Sequence, residues 1–337
     1  VGLKLSILDQ SPIDEGETAE EAFRHTVELA RKAEELGYYR FWVSEHHDSE
    51  KLMGSSPEVL ISYLLAHTKR IRIGSGGVML QHYSPYKVAE NFNVLASLAP
   101  GRIDLGIGRA PGGLPRSTKA LQQESYRGAK PLEEKLVELE QYLNGTLPES
   151  HPLYGVKAVP APQTPPELFL LGTSASSAAL AAQTGIPYVF AKFINGDEAV
   201  IEQALHTYRS KFVSTLGSKP QAILGVSVIV TDTDEEAKAL AVDSKHVKIQ
   251  LESGKTINVK SLEAAEEYGR QSDEKFTVEV KDAPILHGSK HTVREQLLEL
   301  QRRYDVEELI LIVAMKSFSE RLHAYELLQE AFSELTV

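Results

Sequence analysis

Short apolar, β-branched runs alternate along the chain with stretches whose apolar residues recur at helical spacing, the pattern of repeated strand–helix units. The runs predict strands over Leu3 to Asp9, Tyr39 to Ser44, Ile71 to Leu80, Arg102 to Ile107, Glu167 to Leu171, Pro187 to Ala191, Ala222 to Val230 and Glu308 to Met315. A helical pattern follows each one. Helix starts are marked by Thr18 before AEEAFRHTVELARKAEEL, by Pro57, by Pro85, and by Asp232 or Thr233 before DEEAKALAV. A capping oxygen accepts an orphan N–H of the first turn, and proline at the first helical position has no N–H to leave unpaired. Gly37 and Gly185 stand where a left-handed residue ends a helix. Eight strand–helix pairs predict a closed (β/α)8 TIM barrel, because open doubly wound sheets usually have fewer strands.

Two intervals are too long for bare units: Arg109 to Glu167 after strand four, and Thr231 to Glu308 after strand seven. Both read as insertions into a single domain spanning 1–337. The first predicts a helix from about Lys130 to Leu143, then a proline-rich connection through Pro148 to Pro166. The second contains the polar stretch 252–282, with helical patches and no sustained apolar face. It is expected either as a lid over the catalytic end or as a solvated excursion.

Composition narrows the chemistry. With 36 basic and 47 acidic residues the net charge of −11 disfavours nucleic acid as a partner. Cysteine is absent, which excludes disulfides, thiolate metal sites and a cysteine nucleophile. The opening VGLKLSILDQ lacks a basic segment followed by a long apolar one, and apolar runs such as Leu309 to Met315 fall far short of the roughly 20 residues that span a bilayer. A cytoplasmic protein without membrane contact is the expectation.

In such barrels the chemistry sits at the C-terminal ends of the strands. There, Gly172-Thr173-Ser174-Ala175-Ser176-Ser177 runs straight into a helix, so hydroxyls and backbone N–H groups converge on a helix start. This makes an anion site, although plain N-capping accounts for the residues equally well. Arg109 follows the neighbouring strand, and its planar fork suits a phosphate; the alternative is an ion pair with Asp104 or Glu45. Together they favour a phosphorylated ligand. Gly106-Ile-Gly108-Arg-Ala-Pro111 fails as a dinucleotide fingerprint, because its third glycine is proline and no helix follows directly.

Glu45-His46-His47-Asp48 invites a metal, yet neighbouring strand residues point to opposite sides and cannot all reach one ion. No metal is expected. A single proton-handling imidazole is the functional alternative, and a His pair bonded within the barrel rim the plainer one. Lys192 offers a Schiff-base amine only if burial removes its proton. Helix 57–67 is apolar nearly all round, and with Val88, Phe92, Leu95 and Leu98 of helix 86–98 it predicts a twofold interface in a homodimer, or else a surface covered by the chain's own insertions.

The segments FWVSEHH at 41–47, RIGSGGVMLQHYSPYKVAENFNVLASLAPGRIDLGIGRAP at 72–111, GTSASSAALAAQTG at 172–185 and the C-terminal VEELILIVAMKSFSERLHAYELL resemble the bacterial luciferase-like, flavin-dependent monooxygenases. The resemblance implies a (β/α)8 barrel that uses reduced FMN as co-substrate with O2 to oxygenate a small organic substrate. It places the flavin phosphate on Arg109, Gly172, Thr173, Ser174 and Ser177, and the flavin ring beside Ser75, Gly76 and Gly77, with a non-prolyl cis peptide at Ser75-Gly76. His46 matches the histidine that handles protons near the reduced flavin. The family's reactive cysteine aligns with Gly108, so light emission is not implied. Without a nicotinamide fingerprint, a separate flavin reductase is the expected source of reduced flavin. The alternatives are an F420-linked dehydrogenase and a non-catalytic flavin-binding protein. Met79, His82, Tyr83 and Phe193 are pocket candidates that suit alkyl, sulfur or aromatic substrates alike.

Overall fold

The computed structural model describes residues 2–122, 130–215, 217–242, 244–254, 256–259, 261–272 and 274–333. In chain order, β1 (Lys4–Asp9), α1 (Ala19–Leu36), β2 (Arg40–Val43), α2 (Pro57–His67), β3 (Arg72–Val78), α3 (Pro85–Leu98) and β4 (Ile103–Ile107) open the barrel. After α4 (Pro115–Leu121) and α5 (Leu132–Asn144) come β5 (Glu167–Gly172), α6 (Ala175–Thr184), β6 (Tyr188–Ala191), α7 (Glu198–Ser210) and β7 (Ala222–Thr231). The second insertion holds α8 (Asp234–Ala241), β8 (Lys245–Leu251), β9 (Thr256–Val259), α9 (Leu262–Gln271), β10 (Phe276–Asp282), β11 (Ile285–Ser289) and α10 (Lys290–Tyr304), before β12 (Glu308–Val313) and α11 (Phe318–Ser333). Strands β1 to β7 and β12 pair in parallel, and contacts of β12 with β1 and of β6 with β7 close the ring. The expected TIM barrel is the fold.

Local chemistry sets the element ends. Thr18 and Glu21 form a reciprocal capping box at the start of α1, and Gly37 ends it at φ 82°. Pro57 and Pro85 occupy first-turn positions of α2 and α3, and Thr233 caps α8. Along β1 the alternation is plain. Leu5 and Ile7 pack outward among the helices, while Leu8 joins Trp42, Phe169, Leu171, Val189, Ile223 and Ile310 inside the barrel.

The N-terminal end of the barrel is filled by buried charge. Arg40 Nη1 donates to Asp104 Oδ2 at 3.0 Å and Nη2 to Glu308 Oε2 at 3.1 Å, while Trp42 Nε1 and Ser6 Oγ donate to the same two carboxylates. Burial works against the guanidinium charge, but Asp104, Glu308 and Glu167 hold its pKa above the ordinary value. This end of a barrel serves stability.

Four expectations change. The predicted strand from Ile71 to Leu80 ends at Val78, and Leu80–His82 is a 3-10 turn. The predicted eight strands gain a ninth on the same sheet: β6 pairs with β7 only through Ala222–Gly225, and β11 takes over at Ser227–Thr231. The physical reason is length. Strand β7 has ten residues and β6 four, so the upper half of β7 needs another partner for its backbone.

The stretch 252–282 is not without an apolar face. Strands β10, β8 and β9 form an antiparallel sheet, and α9 packs on it through Ala265 and Tyr268 against Val247, Ile249 and Leu251, with Ile257, Val259 and Phe276 at the margin. The apolar period is two, which a helical reading misses. Leu114 joins this small core, Arg116 N–H donates to Gln271 Oε1 at 3.1 Å, and Asn258 Nδ2 to the Ile194 carbonyl at 3.4 Å. The insertion therefore rests on loops that follow β4 and β6, at the C-terminal end of the barrel.

The helix face expected for an interface also differs. Leu60, Ile61, Leu64, Val88, Phe92 and Leu95 are buried in the chain's own core, and the apolar side chains left exposed on α2 and α3 include Val59, Tyr63, Val94 and Leu98. Among the described residues, no helix is long and apolar enough to cross a membrane.

Candidate active site

Strand β5 delivers the chain to α6 through Gly172, Thr173 and Ser174. Ser174 Oγ accepts the Ser177 N–H and Ser177 Oγ accepts the Ser174 N–H, both at 3.3 Å, a capping box that leaves the first-turn amides of Ala175 and Ser176 without an intrahelical acceptor. The Ser177 hydroxyl is buried, 2.9 Å from the Tyr188 hydroxyl. Burial pushes the Tyr188 phenol up to about 12. A side chain at Gly172 would overlap Ser177 Oγ, so glycine there lets the helix start pack onto the strand. Gly172 and Ser177 thus shape the helix start, and their side-chain positions face protein.

Ser176 is exposed; the sequence reading includes it in the hydroxyl-rich stretch but not among the residues assigned to the phosphate, although it stands in the first turn, where N–H groups are orphaned. Arg109, from the end of β4, donates through Nη1 to Ser176 Oγ at 3.2 Å and through Nη2 to Glu133 Oε1 of α5 at 3.3 Å. Neither Asp104 nor Glu45, the ion-pair alternatives weighed from sequence, is its partner. A guanidinium, a hydroxyl, two helix-start amides and the helix dipole fit a phosphate in charge and donor count.

Strand β2 places its chemistry by alternation. Trp42 lies inside the barrel, Ser44 follows on the same side, and Ser44 Oγ lies 3.0 Å from His46 Nδ1. The His46 N–H donates to the Gly54 carbonyl at 2.8 Å. On the other side, buried Glu45 binds His47 Nε2 at 2.7 Å and accepts from the Tyr83 hydroxyl at 2.7 Å and the Met79 N–H at 3.0 Å. The two histidines diverge, as alternation requires, and residues 45–48 do not converge on one point. Asp14, Glu17 and His25 do come together with metal-like spacing, but Asp14 is engaged by Arg321 at 2.7 Å and by the Phe318 N–H at 2.6 Å.

The glycine-rich end of β3 departs from expectation in detail. The non-prolyl cis peptide is Gly76–Gly77, one residue beyond the expected Ser75-Gly76. Ser75 is fully buried and donates to the Gly106 carbonyl at 2.9 Å. A Cβ at Gly76 would meet Leu8 and Trp42, and one at Gly77 would meet the backbone of Gly106 and Gly108 at 2.7–2.8 Å. Barrel packing thus demands these glycines by itself. At Gly108 a side chain would strike Met79 Sδ at 2.9 Å, so methionine fills the space beside that position.

Of the pocket candidates, His82 is buried, 2.7 Å from the Pro111 carbonyl through Nε2 and 3.0 Å from Gln122 Nε2 through Nδ1. Burial lowers its pKa. Tyr83 is held by Glu45, and burial followed by that carboxylate raises its pKa. Met79, His82 and Tyr83 therefore build the wall between the β3 and β4 loops, whereas half-buried Phe193 packs against the apolar cluster inside the barrel. Lys192 is buried and burial lowers its pKa, with Glu198 acting against that shift. A surface depression of about 570 Å³, lined by Lys4, Glu34, Tyr39 and Arg72, lies at the opposite end of the barrel.

The sequence profile described as luciferase-like monooxygenase matches residues 3–306. This chain belongs to the luciferase-like monooxygenase family. Within it, the chain is 44% identical over 329 residues, 98% of each chain, to the N-acetyl-S-alkylcysteine monooxygenase of Bacillus subtilis (strain 168). The crystal structure of apo-MsnO8 superposes with a TM-score of 0.79 at 34% identity, covering 98% of both chains. The FMN complex of the oxygenating constituent of 3,6-diketocamphane monooxygenase from Pseudomonas putida has a TM-score of 0.71 at 18% identity, covering 100% of this chain and 99% of that one, a likeness of fold. The resemblance read from the sequence is thereby established at the level of the family.

Proposed function

We propose that this luciferase-like monooxygenase uses reduced FMN and O2 to oxygenate a small organic thioether, with reduced flavin delivered by a separate flavin reductase. The observation that carries the reading is the reach of Arg109 from the segment after β4 to Ser176 on the first turn of α6, which sets a guanidinium beside the helix-start amides and supports a phosphate-binding role for them. The relative that acts on N-acetyl-S-alkylcysteine supports the sulfur-containing substrate class. Bound reduced flavin supplies the electrons that let one atom of O2 enter the substrate while the other leaves as water. The chain's own residues do the rest. Arg109 and the α6 amides hold the phosphate, with Thr173 and Ser174 beside them. Gly76 and Gly77 keep the β3 rim low. His46 holds or moves a proton at the mouth, and the β8–β10 insertion limits water entry. Val59, Tyr63, Val94 and Leu98 are the face on which a second copy docks in the proposed homodimer.

The test combines the purified chain, FMN, an independent reductase with NADH, 18O2 and an N-acetyl-S-alkylcysteine. The expected product carries one 18O atom and forms only with the reductase present. Rapid NADH oxidation by the chain alone removes the separate reductase. Affinity for F420 with none for FMN makes the protein a deazaflavin enzyme, and tight FMN binding with no product from any thioether makes it a flavin binder.

A further inference from the structure

Two adjacent histidines in this chain have partners of opposite character. His47 meets the Glu45 carboxylate, which accepts only and therefore favours a proton on the facing nitrogen. His46 meets the Ser44 hydroxyl, which both donates and accepts. Ser44 is buried, with 4% exposure, and among the described residues its hydroxyl bonds to no group other than His46 Nδ1. A hydroxyl buried at that level beside Trp42 is unfavourable unless it is hydrogen-bonded, and alanine fits the strand position without that requirement.

We propose that Ser44 is a positioning residue for His46, holding Nδ1 in one place in every protonation state so that protons enter and leave the ring at Nε2. This deepens the monooxygenase reading and rests on it. In the imidazolium, Nδ1–H donates to Ser44 Oγ. When Nε2 loses its proton, that same hydrogen bond persists and no heavy atom moves. In the other neutral tautomer the serine hydroxyl rotates and donates to Nδ1. A carboxylate in place of Ser44 holds a proton on the ring and opposes the exchange. The sequence places the two residues at i and i+2 of the segment that leaves β2, and the structure brings Ser44 Oγ to 3.0 Å from His46 Nδ1.

The test compares Ser44→Ala, Ser44→Thr and His46→Ala in the full chain, reading product formed per reduced FMN consumed, the Kd for FMN, and the 15N signals of imidazole-labelled protein. Ser44→Ala is expected to lower coupling roughly tenfold to a hundredfold with the FMN Kd within about twofold of wild type, and to move the His46 signals but not those of His47. Ser44→Thr, which keeps the hydroxyl, is expected to restore both readouts. Unchanged coupling in Ser44→Ala, or Ser44→Thr as poor as Ser44→Ala, overturns the positioning role. Should His46→Ala itself couple normally, the proton-handling assignment of His46 fails instead, so the two failures are distinguishable.

Discussion

Replacing Arg109 by alanine separates the proposed phosphate clamp from everything else that would hold a flavin. In the free protein the guanidinium is about half exposed and pairs with Glu133 at 3.3 Å, an interaction of about 0–1 kcal/mol in such surroundings. A charge-assisted hydrogen bond to a phosphate is worth about 1.5–3 kcal/mol. Subtracting the lost Glu133 pair leaves about 0.5–3 kcal/mol, or roughly twofold to a hundred-and-fortyfold in Kd at about 1.4 kcal/mol per factor of ten. Fluorescence titration with FMN and with riboflavin reads the difference, since riboflavin has the ring without the phosphate. Arg109→Ala is expected to weaken FMN by that factor and to leave riboflavin unchanged. Glu133→Gln, which removes the competing carboxylate, is expected to tighten FMN severalfold, again with no effect on riboflavin. Equal loss for both ligands in Arg109→Ala, or no loss for either, refutes the phosphate assignment.

Other consequences follow from the same geometry. Arg40→Met leaves Glu308 buried without its cation, while Asp104 keeps Arg72, and urea unfolding is expected to show a loss of about 3–5 kcal/mol; a loss under about 1 kcal/mol means that the cluster relaxes. Because folded His82 resists protonation more than the ordinary imidazole at 6.5, the unfolded chain takes up a proton first, so stability is expected to fall as pH drops below about 6.5. His82→Gln should flatten that part of the stability–pH curve, and an unchanged slope assigns it to other groups. Leu98→Glu on the exposed α3 face is expected to convert the proposed dimer to monomer in sedimentation at micromolar concentration, and an assembly state that does not change moves the interface elsewhere.

The barrel was legible because each unit repeats two local rules. Alternation or apolar runs mark strands, and Thr18, Pro57, Pro85, Gly37 and Gly185 mark helix ends through backbone chemistry that acts within a turn. The capped start of α6 was legible for the same reason, since Ser174 through Ser177 form a helix start whatever the tertiary context. The β8–β10 sheet was misread because its apolar residues are spaced by two and separated by polar ones, and the core they build is completed by Leu114, more than 130 residues away from Val247. Strand β11, carrying His287 and Gly288 in ILHGS, has little strand signal of its own and exists because the long β7 presents an unpaired edge.

What the sequence determined alone is therefore what depends on neighbours within a few residues: the succession of strands and helices, the capped start of α6, and the opposite sides taken by His46 and His47. Tertiary structure decided which partner each of those groups meets. Arg109 turned to Glu133 and Ser176, Ser177 was drawn inward to Tyr188, and Ser75, Gly76 and Gly77 were claimed by the packing of β3 against β4 and Trp42. Side-chain type sets what a group can bond, but burial and distance across the barrel choose among bonds of similar strength, and those are properties of the closed fold.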